Sequence, residues 1–329
     1  MKGGWLDERS IFLFLLHFDP RFGFLGPSFS GSIPGLPLQA HYLHLQLRGG
    51  CHHRHNARAL AAGAEKILGV PLVVDNRGGG AHTVGAGLVA SKKPDGYTLG
   101  VISAGAITVR PHLLTLSYNP LKDFTLLSQY SRYIGGLCVM NNSPLKTIDE
   151  FIAYARANPG LSYGSSGVYT QQYLAVELLA MCKGLTFKHV PYKSGAEANT
   201  SLIGGHTNFS AGSGQHIIYV KQGVFRMLLL YNANERDSRY PNVPMLKDLG
   251  CEDAPALGFI TVGPRGLPEK ISRKLIETFK KVYDSQEFQR ALDSCGLPYD
   301  YLEGARFEKS LRDQYDWYKV FLKKIGVKN

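Results

Sequence analysis

From Ala57 onward the chain alternates between two hydrophobic periods. Leu60, Ala64, Ile67 and Leu68 recur at helical spacing, with Gly69 as a stop, and predict a helix over 57–68. Pro71–Asp75 and Tyr97–Ser103 are short apolar runs that read as buried strands, and Thr83–Ser91 reads as a short Gly/Ala helix between them. Thr147 with Glu150 three residues on is a capping box, so a helix runs from there through Phe151, Ile152 and Ala155. Further strands are predicted at Leu161–Tyr163, Thr186–Val190, Thr207–Ala211, Arg226–Tyr231 and Gly258–Val262. Helices are predicted at about 170–182, 196–203 and from Gly214 to Lys221. Two helices close the chain, Pro268–Asp284 and Arg306–Lys324. Strands alternating with helices imply an α/β chain whose sheets are mainly parallel, with helices on both faces.

The first 56 residues break this pattern. His17, His41, His44, His52, His53 and His55 crowd a stretch with no acidic residue between Asp19 and Glu65. Asp7 and Glu8 precede a short apolar run, Ile11–Leu16, and no clear small-residue cleavage site follows, which is a poor export signal. His52-His53-x-His55 has the residue types of a metal site, but ligands this close rarely share one ion without a distant partner, so a disordered leader is the simpler reading.

Composition narrows the class. The 329 residues are 44% hydrophobic and 19% charged, enough for a real core, and no apolar run reaches a membrane span. Lys and Arg exceed Asp and Glu, 37 against 26, for a net charge of +11. The excess is diffuse and lacks interleaved aromatics, so nucleic acid is not the expected partner. The five cysteines show no metal-ligand or redox spacing and read as isolated, idle thiols. No cofactor is expected: Gly78-Gly79-Gly80 lacks the dinucleotide spacing, and the phosphate-loop and nucleophile-elbow motifs are absent.

The chemistry sits in two turns. Gly164-Ser165-Ser166-Gly167 joins a strand to a helix that Thr170 and Gln171 open, and Gly212-Ser213-Gly214 repeats the arrangement after the next strand but one. Small residues admit a ligand close to the backbone, helix starts favour anions, and hydroxyls add donors. Two such turns at strand ends of one sheet favour anion binding over plain αβ turns. For nucleophilic catalysis the candidates are Ser103, Ser165 and Ser213 with His112, His189, His206 and His216, but neither His189 nor His206 has an acidic neighbour in sequence to orient it. Asp95, Asp123, Asp149 and Asp248 read as turn or cap residues.

Seven motifs occur in one order: Val73-Val-Asp-Asn-Arg77, Pro94-Asp-Gly-Tyr-Thr98, Tyr118-x-Pro-x-Lys-Asp-Phe124, Tyr163-Gly-Ser-Ser-Gly167, His189-Val-Pro-Tyr-Lys193, Tyr240-Pro-Asn-Val-Pro244 and Gly263-Pro264. In this the chain resembles the substrate-binding proteins of tripartite tricarboxylate transporters, the Bug family, over roughly Ala57 to Val327. The resemblance implies a two-lobed, periplasmic-binding-protein-like fold with two crossovers and a small carboxylate held in the cleft. Lobe 1 is expected from 36–133 with 256–329 and lobe 2 from 134–255, with 1–35 a disordered or aberrant leader. The expected protein is an extracytoplasmic, monomeric binder that serves membrane transporter subunits and breaks no bond. Its ligand-binding set is Ser103, Gly105, Gly164, Ser165, Ser166, Gly167, Thr170, Gln171, Gly212, Ser213 and Gly214. The rival readings are a hydrolase or transferase using Ser165 or Ser213, and a non-functional product of a frameshifted gene.

Two departures qualify the resemblance. Gly212-Ser213 stands where the family often carries an Asp-Asn pair. The family's opening strand and glycine loop are missing before Ala57. Permissible codons for Leu36–His55, read one nucleotide later, give Y-P-C-K-P-I-T-F-I-C-N-F-A-A-G-A-T-T-D-I, which matches that missing segment. Residues up to about Asn56 therefore read as out of frame, a reading the nucleotide sequence checks, and 36–56 are expected to pack poorly with the first strand damaged.

Overall fold

The computed structural model describes residues 44–46, 51–75, 83–231 and 236–327. The 1–35 leader and the Gly78–Gly80 loop lie outside these residues. Strand β1 (His44–Gln46) leads to helix α1 (Cys51–Leu68), strand β2 (Val74–Asp75), helix α2 (Thr83–Ala90) and strand β3 (Thr98–Ser103). A short helix α3 (Gly105–Thr108) and a 3-10 turn at Arg110–His112 precede strand β4 (Phe124–Arg132). Then follow β5 (Gly135–Met140), α4 (Ile148–Ala157), β6 (Leu161–Ser165), α5 (Gln171–Lys183), β7 (Phe187–Pro191), α6 (Gly195–Ile203), β8 (Phe209–Gly212), α7 (His216–Lys221) and β9 (Phe225–Tyr231). The chain closes with β10 (Gly258–Pro264), α8 (Glu269–Tyr283), α9 (Gln286–Ser294), β11 (Tyr299–Glu303) and α10 (Gly304–Lys324).

These strands form two sheets, in the orders β11-β4-β10-β3-β1-β2 and β7-β6-β8-β5-β9. The chain crosses between them twice, from β4 to β5 and from β9 to β10. Both sheets are mixed, where mainly parallel ones were expected. β1 runs parallel to β2 and β3, and β6 parallel to β7 and β8, whereas β10 and β5 run antiparallel to every strand they pair with. Each of these two is the strand that enters from the other lobe, so it traverses its sheet against the βαβ direction.

The expectation for 36–56 is corrected in part. His44–Gln46 pairs in parallel with both Thr98–Gly100 and Val74–Asp75, so a strand fills the opening slot of the first sheet. Helix α1 begins at Cys51, six residues before the predicted start at Ala57, because nothing in 51–56 breaks a helix once Ala57, Leu60 and Ala64 anchor its buried face. Elsewhere the caps act as read. Thr147 Oγ1 accepts from the Glu150 amide, and the Glu150 carboxylate accepts from the Thr147 amide. Ser194 likewise caps α6 through the Glu197 amide.

The hinge is built from backbone. The Tyr133 amide, in the first crossover, donates to the Leu257 carbonyl in the second at 3.0 Å. Beside it the Ala104 amide donates to the Gly258 carbonyl at 2.9 Å. One apolar cluster covers the junction. It holds Ile102, Ala104, Ala106 and Ile107 from the first lobe, Leu174 and Leu178 from α5, and Ala254 and Leu257 from the crossover, with Tyr133, Tyr169 and Tyr173 packed on it. The loop after β3 and the start of α5 therefore border the same cluster.

The cysteine reading is also corrected: Cys182, near the end of α5, is disulfide-bonded to Cys251, 69 residues on. Cys138 and Cys295 are buried free thiols. Sequence spacing could not reveal a pair that only the packing of α5 on the 246–251 segment brings together.

Candidate functional site

The two glycine- and serine-rich turns lie side by side. Parallel pairing of Tyr163 with Phe209 and Gly164 with Ser210 brings β6 and β8 to their C-terminal ends together, so the 166–170 and 213–215 turns leave the same edge of the second sheet. Gly167 has φ +126°, a conformation glycine adopts without penalty, and this turns the chain back toward α5. Tyr169, at φ +54°, is held in the left-handed region with its ring edge-on to Tyr173 at 5.6 Å. Gly212 is required for a different reason: a Cβ there would lie 2.2 Å from His216 Nδ1. His216 is fully buried, and its Nδ1 accepts from the Gly214 amide at 3.2 Å.

A residue that sequence reasoning passed over joins the turns. Gln172, in the first turn of α5 and only 3% exposed, donates from Nε2 to Ser166 Oγ at 2.9 Å and to Ser213 Oγ at 2.7 Å. Ser166 and Ser213 are half-buried, while their common donor is enclosed. The only signal for Gln172 in the sequence was its place one residue beyond Gln171. Gln171 is itself 5% exposed, and neither atom of its amide has a partner among the described residues.

The other candidates divide. Ser165 is fully buried at the end of β6; its hydroxyl donates to the Gly167 carbonyl at 3.1 Å and lies 2.7 Å from His189 Nε2. Thr170 Oγ1 donates to the same Gly167 carbonyl at 2.8 Å, so both hydroxyls shape the turn from within. Gly164 is buried against Tyr192 and Ala198 of the α6 side, where a Cβ would sit 3.1 Å and 3.3 Å from them. The Gly212 carbonyl accepts from Tyr231 Oη at 2.6 Å. In the first lobe, Ser103 is 4% exposed at the end of β3 and accepts from the Gly105 amide at 3.3 Å. Its hydroxyl is also bonded to that of Tyr133 in the hinge. Residues 47–50, after β1, lie outside the described residues.

The serine–histidine pair was not foreseen as a contact. His189 lies between the rings of Tyr163 and Tyr173, at 4.8 and 4.9 Å. Burial pushes its imidazole below the usual histidine range. The nearby Glu177 carboxyl, itself pushed up by burial, reaches toward Tyr163 Oη at 3.5 Å, and no acid bonds His189 among the described residues. A closed-off hydroxyl beside a histidine without an orienting acid is a packing arrangement, not an activated nucleophile. Among the described residues no group of histidine, cysteine and acidic side chains could hold a metal, and no helix is long and apolar enough to cross a membrane. The His52–His55 side chains, apart from that of His55, lie outside this description.

Set against known proteins, residues 56–327 match the family described as the tripartite tricarboxylate transporter family receptor. A UPF0065 protein encoded in the gbd 5' region of Cupriavidus necator is 35% identical over 271 residues, 82% of each chain. BugT of Bordetella pertussis is 29% identical over 222 residues, 65% of this chain and 67% of BugT. Among solved structures, a periplasmic transporter with 26% identity superposes with a TM-score of 0.77 over 89% of this chain and 99% of its own. R. palustris Rpa4515, solved with adipate, gives 0.76 at 25% identity over 88% of this chain and 98% of its own. The fold is thus the two-lobed one of periplasmic binding proteins. The chain belongs to the tripartite tricarboxylate transporter receptor family, whose members are periplasmic solute-binding proteins and not enzymes.

Proposed function

We propose that this protein captures a small carboxylate between its lobes, cut near 133/134 and 255/256, and delivers it as a monomer to membrane subunits of a tripartite tricarboxylate-type transporter. The observation that carries the reading is the pair of glycine- and serine-rich turns at adjacent ends of β6 and β8, with half-buried Ser166 and Ser213 Oγ atoms on one nitrogen. Main-chain N–H groups of Ser166, Val168, Tyr169, Thr170 and Ser213, with the two hydroxyls, form a donor-rich corner that suits a carboxylate. Across the hinge, the Ser103–Gly105 loop supplies the opposing wall. Adipate in Rpa4515 is the kind of ligand this chemistry fits. The Cys182–Cys251 disulfide suits an oxidising periplasm.

Thermal denaturation against succinate, glutarate, adipate and citrate tests the reading. A ligand that binds only the folded state stabilises it by about 2.7 kcal/mol at a hundred times its Kd, so the midpoint rises with concentration. Stabilisation by at least one of these anions, without chemical change to it, is the expected result. A flat response to all four would overturn the proposal.

A further inference from the structure

We infer that Gln172 sets the polarity of the carboxylate corner, holding Ser166 and Ser213 as hydrogen-bond donors and so making the site selective for anions. The inference rests on the function proposed above. Both hydrogens of the Gln172 amide nitrogen are committed, one to each serine oxygen, at 2.9 and 2.7 Å. A hydroxyl that accepts from an amide must point its own proton elsewhere. Neither hydroxyl has an acceptor among the described residues, and both serines are half-buried residues. Gln172 is only 3% exposed, and its amide nitrogen acts through the serines. Two outward O–H groups held by one nitrogen form a fork that matches the two oxygens of a carboxylate and leaves a neutral amide's N–H groups facing donors. Beside them the Gln171 amide, also buried, has no partner for either atom. It is an unspent polar group at the start of α5, a 13-residue helix whose N-terminus adds partial positive charge.

Gln172→Glu tests this with almost no change of shape. A carboxylate at that place accepts from both serines, turns their protons inward and adds a negative charge. The probes are succinate, glutarate and adipate, each paired with its neutral diamide, with binding measured by calorimetry at pH 7.5. In Q172E we expect carboxylate affinity to fall on the order of 100-fold while diamide affinity changes less than about threefold. A purely structural role for Gln172 would weaken both series alike. Equal losses, or unchanged carboxylate binding, overturn the inference and leave the proposed function standing. Failure of the wild-type protein to bind any of the carboxylates overturns the function and the inference together. Should Q172E fail to fold, Gln172→Met removes the donor without adding charge. It should narrow the carboxylate-to-diamide preference about tenfold, and an unchanged preference there is equally fatal.

Discussion

The two lobes are built on one plan and use it differently. The first sheet contains the run β2-β1-β3-β10-β4 and the second is β7-β6-β8-β5-β9, so in each the strand arriving from the other lobe takes the fourth place, antiparallel to its neighbours. Strands β1 and β3 thus hold the places that β6 and β8 hold in the second sheet. In the second lobe the turns after β6 and β8 meet over Gln172, whose amide nitrogen donates to a half-buried serine of each. In the first lobe the serine at the matching strand end, Ser103, is tied into the hinge through Tyr133. The first lobe adds β11 at its sheet edge, while the second is locked by the Cys182–Cys251 disulfide. Topology repeats because it solves the burial of two similar sheets. Chemistry does not repeat, because a turn's hydrogen bonds depend on side chains that the scaffold leaves open to choice.

The disulfide offers the strongest way to separate the lobes. Replacing Cys182 and Cys251 by serine opens a loop of 69 residues in the second lobe alone and should cost about 4 kcal/mol on the chain-entropy account. Calorimetric unfolding with and without reductant measures it, and a wild-type profile indifferent to reductant would contradict the asymmetry. Next in size is a glycine exchange at matching turns. In Gly212→Ala the new methyl would press on the buried His216 ring at 2.2 Å, for an expected loss of about 2–3 kcal/mol. In Gly105→Ala its tightest neighbour would be the movable end of Leu257 at 3.0 Å, with Ser103 Oγ at an ordinary 3.5 Å, for a change of less than about 1 kcal/mol. Urea titration of the two variants should therefore give clearly different midpoints, and equal midpoints would break the comparison.

The smallest effect is one of pH. Each lobe holds a histidine below its ordinary value of 6.5, chiefly by burial: His189 between two tyrosines in the second, and His112, bonded to the Tyr315 carbonyl at 3.0 Å, in the first. The unfolded chain therefore takes up these protons first as pH falls. The stability each contributes is whole above about pH 6.5 and erodes as pH drops through the folded value. Glu177, pushed up by burial, works in the opposite sense at the lower end of that range. Denaturation midpoints measured from pH 8 to 5 should fall, with a shallower slope in His189→Phe and in His112→Phe, and shallowest in the double variant. An unchanged slope in both single variants would count against the assignment.

Much of this fold could be read locally. The Thr147–Glu150 capping box, the helical stripes of α8 and α10, and the strand at 225–231 declare themselves within a dozen residues, because caps and periodicity are short-range signals. The Gly-Ser turns were visible as turns for the same reason. The strands 124–132 and 135–140 escaped notice although they carry the hinge, since their role comes from partners more than 70 residues away. Ser165 belongs to the ligand-binding set that the motifs suggest, yet β7 places His189 against it and closes it off.

What the sequence alone determined was the alternation of strand and helix, the places where chains turn, and, through motifs in order, the family. Only the tertiary structure decided which strands run against their neighbours, which cysteines join, and that one glutamine nitrogen reaches two serines 41 and six residues away. Local propensity is written in neighbours along the chain. A hydrogen bond's direction is written in neighbours in space, and these exist only once the core has packed.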